Sequence, residues 1–296
     1  MSLTAEGRIS PQDTGIWTDA QARAWRRITD FVHGQGTAIG MQLAHAGRKA
    51  STRRPWEGQG SVPPGDGGWQ SVGADARPFG AYAPARPLTT DEVAALPDAF
   101  AAAARRAVDV GFDVLELHFA HGYLVHQFLS PLSNSRTDRY GGDFEGRTRL
   151  ALELADAVRA QTTVPLFARL SATDWTDDGW TLDDSVRLAK LLAERGIDLV
   201  DASSGGNTPH PDIPVGPGYQ VPFAERIRAE TGLPTGAVGM ITDPHQAEAI
   251  IAEEQADAVF LARALLRDPH WPLRAANTLG ADVRWPGQYA RAKSWH

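Results

Sequence analysis

The sequence contains no cysteine, which excludes a disulfide framework, a thiolate metal site and a cysteine nucleophile within these 296 residues. Basic residues are outnumbered, since 29 lysines and arginines face 36 aspartates and glutamates and the formal net charge is -7. No run of basic residues occurs along the chain. We therefore expect no nucleic-acid partner and no attraction to anionic membranes.

Long apolar runs are also missing, and no stretch approaches the roughly 20 residues that a membrane-spanning helix needs. The first thirty residues lack the basic start and apolar run of a signal peptide. These absences predict a cytoplasmic protein. Apolar residues make up 42% of the chain, and the length suits one α/β barrel domain over residues 1–296.

Short apolar runs alternate with amphipathic segments. Most runs are continuously apolar, which is typical of parallel strands covered by helices. The alternation itself is the βαβ pattern. The six predicted strands are Thr37–Leu43, Phe112–His118, Val164–Leu170, Ile197–Ser203, Thr235–Gly239 and Asp257–Arg263.

Helix boundaries are marked by capping residues, glycines and prolines. The pairs Thr18/Gln21 and Thr89/Glu92 predict capping boxes, and we expect Pro97 to kink a helix or split off its first turn. Aspartates before prolines predict helix starts, and glycines predict helix ends. These positions are Asp243 and Asp268 for starts, and Gly111, Gly196, Gly232 and Gly280 for ends.

A segment rich in proline and glycine, residues 52–87, separates the first strand from its following helix. A loop of this length in a compact domain is usually a lid or is disordered. Its aromatic residues favour a packed lid: Trp56, Trp69, Phe79 and Tyr82.

Six strands fall short of the eight that close a (β/α)₈ barrel. The two outer strands would then have free edges, which are aggregation hazards. The sequence alone allows two interpretations, a barrel that lacks two strands or an open doubly wound sheet.

Polar residues stand at the carboxyl ends of the predicted strands, where ligands of parallel α/β proteins bind. Singly, each is more often structural, but their shared edge indicates a binding site. They are Gln42, His118 with the following His121 and Tyr123, Arg169, Asp201, Ser203, Ser204 and Arg263, while Gly239 ends the fifth strand.

The two histidines also allow a metal-dependent hydrolytic barrel. With Glu116 and Asp174 nearby, His118 and His121 would suit a divalent ion. Against this interpretation, the pair lacks the i, i+4 spacing of a helical metal site, and no third histidine ends another predicted strand.

Four motifs resemble the Old Yellow Enzyme family, in particular its thermostable, xenobiotic-reductase-like branch. They are MQLAHAGRKAS (Met41–Ser51), ELHFAHGYLVHQFLSPLSNSRTDRYGG (Glu116–Gly142), TGAVGMIT (Thr235–Thr242) and LARALLRDP (Leu261–Pro269). The resemblance implies a TIM-type barrel that binds FMN. It also implies an ene-reductase that uses NADPH or NADH to reduce C=C bonds of α,β-unsaturated carbonyl or nitro compounds.

Family members carry two further N-terminal strands ahead of the segment matched here, with flavin contacts of their own. The resemblance therefore explains the count of six. It also leaves an alternative open, a truncated barrel whose flavin binding is impaired or absent.

The resemblance assigns roles to individual residues. Gln42 would bind the flavin pyrimidine edge, and Arg169 would stabilise the negative charge that reduction places near N1 and O2. The phosphate would lie at Gly239, Ala262 and Arg263, although many relatives have glycine in place of Ala262.

The substrate side of the site is implied in the same way. His118 and His121 would hold the carbonyl or nitro oxygen of an electrophilic alkene, and Tyr123 would protonate its α-carbon. In the tail, residues 281–296, the QYxR segment implies that Arg291 enters the active site of a partner subunit. A homodimer or homotetramer is therefore expected.

Overall fold

The computed structural model describes residues 1–293. Its main sheet has six parallel strands in the order β1-β4-β5-β6-β7-β8, which is also their order along the chain. These strands are β1 (Gly40–Leu43), β4 (Val114–Phe119), β5 (Leu166–Ser171), β6 (Leu199–Ser203), β7 (Thr235–Val238) and β8 (Ala258–Phe260). The chain thus has the TIM-barrel fold class with six of its eight strands, as the sequence predicted.

Helices connect the strands. They are α1 (Asp19–Gly34), α2 (Thr90–Asp109), α3 (Leu124–Leu129), α4 (Phe144–Arg159), α5 (Leu182–Ala193), α6 (Val221–Thr231), α7 (Pro244–Ala252), α8 (Arg263–Arg267) and α9 (Trp271–Thr278). Every residue of β6 is buried, and α4 and α5 turn apolar faces inward, so the core lies between the sheet and its helices. No helix within residues 1–293 combines the length and apolar character needed to cross a bilayer.

All six predicted strands form, each starting at or shortly after the predicted residue. Both predicted capping boxes are present, at Thr18/Gln21 and Thr89/Glu92. Asp243 caps α7 as predicted. The four glycines predicted to end helices all lie at helix ends with positive φ, between 69° and 95°.

Two predictions about prolines need correction. Pro97 does not split its helix, because α2 runs without a break from Thr90 to Asp109, held by buried side chains on both sides of the proline such as Val93 and Phe100. Asp268 does not begin a helix. It ends α8, and its carboxylate accepts a hydrogen bond from the backbone N–H of His270, the residue that precedes α9.

The segment 52–87 contains two 3-10 turns and the short parallel strands β2 (Val72–Gly73) and β3 (Arg86–Pro87). Trp69 packs against Arg8 and donates a hydrogen bond to the carbonyl of Glu6, and Phe79 contacts Tyr82. Trp56 is 78% exposed. The segment is therefore partly packed, and its function as a lid stays a prediction.

Candidate active site

The two histidines and the tyrosine meet at the carboxyl end of β4. His118 is in the strand, and His121 and Tyr123 follow in a tight turn before α3. The His118 ring centroid lies 5.1 Å from that of His121 and 5.2 Å from that of Tyr123. The structure thus brings together three of the four residues for which the sequence predicts substrate contacts, and the fourth is Arg291.

The turn between them has an unusual backbone. His121 and Gly122 both have positive φ, 60° and 68°, a conformation that is uncommon for residues other than glycine. The His121 N–H donates to the Ser171 hydroxyl at 2.9 Å, and the His121 ring nitrogen Nε2 lies 2.8 Å from the Ser203 hydroxyl. A Cβ at position 122 would lie 2.3 Å from the carbonyl oxygen of Gly206, so only glycine fits there.

Burial sets the protonation of all three side chains. It lowers the pKa of His118 well below its usual value, and the neighbouring His121 adds to the effect. Burial, with the charge of Arg169, lowers the pKa of His121 to about 3. Burial raises the pKa of Tyr123 to about 12. At neutral pH the site therefore holds two neutral imidazoles and a protonated phenol, all of which are hydrogen-bond donors.

Lys49 is a member of the site that sequence reasoning missed. Its ammonium donates to the carbonyl of His121 at 2.9 Å and to that of Gly206 at 2.8 Å. It also lies 5.4 Å from the Tyr123 ring centroid, and burial lowers its pKa to about 8. The available signal was its place in the motif that follows β1, just beyond the end of that strand.

Gln42 and Arg169 line a second part of the site, a cleft of about 350 Å³ on the inner face of the sheet. The Gln42 amide donates to Glu116, and Arg169 Nε lies 3.3 Å from Asp201. Burial raises the pKa of Asp201 to about 7 in spite of this arginine. The cleft thus presents an amide and a guanidinium beside two carboxyl groups, Glu116 and Asp201. Burial disfavours the charged form of both.

Gly239, Ala262 and Arg263 come together around a cavity of about 160 Å³ between the ends of β7 and β8. Gly239 has φ 121°, which favours glycine. Within residues 1–293, Arg263 forms no ion pair and is exposed. A cation without an acidic partner beside a small cavity suits an anionic group such as a phosphate.

The donor set fits FMN. The His118 ring nitrogen Nδ1 is buried without a hydrogen-bond partner in the described chain, and buried polar atoms normally have one. The amide of Gln42 offers both a donor and an acceptor, as the pyrimidine edge of a flavin requires. The cavity beside Arg263 suits the opposite, phosphate end, and this placement stays a prediction.

The proposed metal ligands do not assemble. Asp174 lies against His126, with its Oδ1 3.1 Å from His126 Nε2, rather than against His118 and His121. Within residues 1–293, no group of three or more histidine, aspartate or glutamate side chains has a metal-binding arrangement. The histidine pair therefore has no acidic third ligand in this part of the chain.

Arg291 lies apart from both cavities, in an exposed 3-10 turn, Gly287–Ala292, and lines neither of them. Tyr289 packs edge-on against His270 at 5.8 Å and is 51% exposed. Trp295, which the sequence also places in this tail, lies outside the described residues. A function of Arg291 in a partner subunit stays a prediction.

Comparisons with known proteins agree with this geometry. A model of the NADH:flavin oxidoreductase / NADH oxidase family matches residues 1–282. The NADPH dehydrogenase of Geobacillus thermodenitrificans is 47% identical over 290 residues, which is 98% of this chain and 81% of that protein. The NADPH dehydrogenase of Bacillus subtilis is 44% identical, with the same coverage.

The chain is also similar to solved structures of a reductase and of an old yellow enzyme homologue. A structure of morphinone reductase in complex with tetrahydroNAD has a TM-score of 0.77 and 27% identity, over 97% of this chain and 78% of that one. The old yellow enzyme homologue from Zymomonas mobilis has a TM-score of 0.75 and 28% identity, over 96% of this chain and 78% of that one.

Proposed function

Because the chain belongs to the NADH:flavin oxidoreductase / NADH oxidase family, the Old Yellow Enzyme family of FMN- and NADPH-dependent oxidoreductases, we propose that it is an ene-reductase. Its substrates are alkenes activated by a carbonyl or nitro group. The observation that supports this most is the meeting of two neutral imidazoles and a protonated phenol at the end of β4. Bound FMN would supply the hydride chemistry that links NADPH to the alkene.

His118 and His121 bind the carbonyl or nitro oxygen. As neutral donors they polarise the C=C bond, which makes the β-carbon a better hydride acceptor. Lowered pKa values suit this function, because neutral rings hold the oxygen through hydrogen bonds alone.

Tyr123 delivers the proton to the α-carbon. Its phenol stays protonated across the physiological range because burial raises its pKa to about 12. The ring centroid distance of 5.2 Å to His118 allows one small substrate to contact both residues. The hydroxyl acts only after the alkene has entered, so it has no part in the oxidation of NADPH.

The remaining predicted residues hold the cofactor. Gln42 and Arg169 bind the flavin ring at the cleft, and Gly239, Ala262 and Arg263 bind its phosphate at the smaller cavity. Arg291 completes the site of a neighbouring subunit in a homo-oligomer, for which its exposure leaves it available. A cytoplasmic location remains a prediction that cell fractionation tests.

Tyr123→Phe tests the proposal. The variant should reduce enones about 10²–10⁴-fold more slowly, the usual contribution of a general acid, while NADPH still reduces its flavin at nearly the original rate. Stopped-flow absorbance of the flavin measures the two half-reactions separately. Equal slowing of both would contradict the assignment of the phenol.

The unsubstituted protein is the control for the proposal as a whole. It should be yellow when purified, and it should oxidise NADPH faster when cyclohexenone or a nitroalkene is added. A yellow protein that transfers no hydride to any activated alkene would refute the substrate class while leaving the family intact. A colourless protein that takes up no FMN would support the truncated-barrel alternative.

A further inference from the structure

Helix α3 lies directly behind the turn of the active site and carries two buried polar residues that the proposed chemistry does not use. His126 and Gln127 both have 0% exposure. The Gly122 N–H donates to His126 Nδ1 at 2.9 Å. Gln127 Nε2 donates to the Gly122 carbonyl at 2.8 Å. Two side chains thus satisfy both polar backbone atoms of a single glycine.

Gly122 is the residue between His121 and Tyr123, so its two peptide planes determine where those side chains point. Gly122 has no free space on the side where a Cβ would point, because Gly206 O and Asn207 Cα lie 2.3 Å and 2.9 Å from that position. A buried N–H that loses its acceptor is costly, and here the acceptor is an imidazole nitrogen and not a backbone carbonyl. The direction of this peptide therefore depends on His126 at its N–H and on Lys49, which donates to the carbonyl of His121 at its other end.

The His126 ring has Asp174 behind it, on the side away from Gly122. Because Nδ1 accepts the Gly122 N–H, the ring proton must be on Nε2, which lies 3.1 Å from Asp174 Oδ1. Asp174 Oδ2 accepts hydrogen bonds from the Ser130 hydroxyl at 2.5 Å and from the Trp180 N–H at 3.0 Å. Burial alone would raise the pKa of Asp174, but His126 and these hydrogen bonds hold it at about 2, so the residue is a carboxylate.

We propose that His126 is a positioning residue for alkene reduction, which sets the separation of His121 and Tyr123 by accepting the Gly122 N–H and is oriented by Asp174. The proposal rests on the proposed function, since it assigns the turn to the substrate. The hydrogen bond through which His126 acts is to the backbone between these two side chains.

Two substitutions separate the two contacts of the ring. His126→Asn keeps an acceptor near the place of Nδ1, because the amide oxygen is also bonded to Cγ, but it cannot reach Asp174. His126→Gln keeps an N–H near the place of Nε2 and loses the acceptor. Both remove the ring, but asparagine is one methylene smaller than glutamine and leaves the larger void. Loss of packing alone would therefore harm the asparagine variant more, which is the opposite of the order expected from the contact with Gly122.

If the contact with Gly122 is the important one, the glutamine variant should bind a phenol such as p-hydroxybenzaldehyde about tenfold more weakly, with alkene reduction slowed at least as much. The asparagine variant should stay within about threefold of the unsubstituted protein in both measurements. Flavin reduction by NADPH should be unchanged in both variants. Ser130→Ala, which removes a donor to Asp174 but does not touch Gly122, serves as the control for disturbance of the buried network.

A readout independent of flavin and turnover is amide hydrogen exchange of the peptide that covers residues 119–124. Exchange at Gly122 should be at least about tenfold faster in the glutamine variant and near normal in the asparagine variant. If His126→Gln fails to fold, Gln127→Met, which removes the donor to the Gly122 carbonyl, should show the same selective loss of alkene reduction.

The proposal is overturned if the two His126 variants change equally in phenol binding and in exchange, or if Gln127→Met reduces alkenes at the normal rate. An unsubstituted protein that binds FMN but reduces no alkene would instead refute the proposed function. In that case exchange at Gly122 still decides whether His126 holds the turn.

Discussion

The low pKa of His121 predicts that the protein loses stability in mild acid. Folding holds this ring in a site that lowers its pKa from 6.5 to about 3. The unfolded chain therefore binds a proton below pH 6.5 that the folded chain does not. Stability is complete above pH 6.5 and falls as the pH decreases toward 3.

The size of the loss follows from the shift. At pH 5, about 1.5 units below the unfolded pKa of 6.5, protonation of His121 stabilises the unfolded chain by about 2 kcal/mol. His118 adds to the loss with the same sign, because its pKa is also lowered by burial. Urea unfolding at pH 7 and pH 5, followed by tryptophan fluorescence, measures the difference directly.

His121→Asn isolates the contribution of the ring. The variant is expected to be less stable at pH 7, but its free energy of unfolding should fall by about 2 kcal/mol less than that of the unsubstituted protein between pH 7 and pH 5. His210→Asn, which replaces an exposed histidine and keeps His121, should follow the unsubstituted protein. If His121→Asn loses as much stability in acid as the unsubstituted protein, the ring is not held neutral by burial and the reasoning is wrong.

Three further predictions concern binding and assembly. His118→Ala should weaken the binding of phenols to the FMN-loaded protein about 10- to 100-fold, measured by absorbance titration, and an unchanged affinity would mean that the ring does not face the substrate. Arg263→Ala should weaken FMN binding by a similar factor in fluorescence titration, with riboflavin, which has no phosphate, as the ligand whose affinity should not change. When inactive Tyr123→Phe and Arg291→Ala subunits are mixed at random, half of the dimers are mixed and one of their two sites is intact. About a quarter of the activity should then return, whereas an Arg291 that acts within its own subunit would restore none.

The strands and most helix ends could be predicted from the sequence because their signals are local. Continuous apolar runs in βαβ alternation mark parallel strands, and side chains such as Thr89 act within one turn of their own position. Pro97 shows where local reasoning fails, because buried neighbours in α2 keep the helix continuous across the proline.

The site was predictable only in part. The strand ends located His118, Arg169 and Gly239, since parallel strands bring their carboxyl ends to one edge. Lys49 was missed because its position depends on carbonyl groups 72 and 157 residues away in the chain. His126 lies inside a recognised motif, but only the structure shows that its ring accepts a backbone N–H.

The order of strands in the sheet has a consequence for synthesis on the ribosome. Each strand pairs only with the strands that precede and follow it among the six, so none has to insert between two strands that are already paired. A growing chain can therefore extend the sheet one strand at a time as each βα unit emerges. The turn that carries His121 and Tyr123 needs Ser171 and Ser203, so we expect it to become ordered only after β6 has left the exit tunnel.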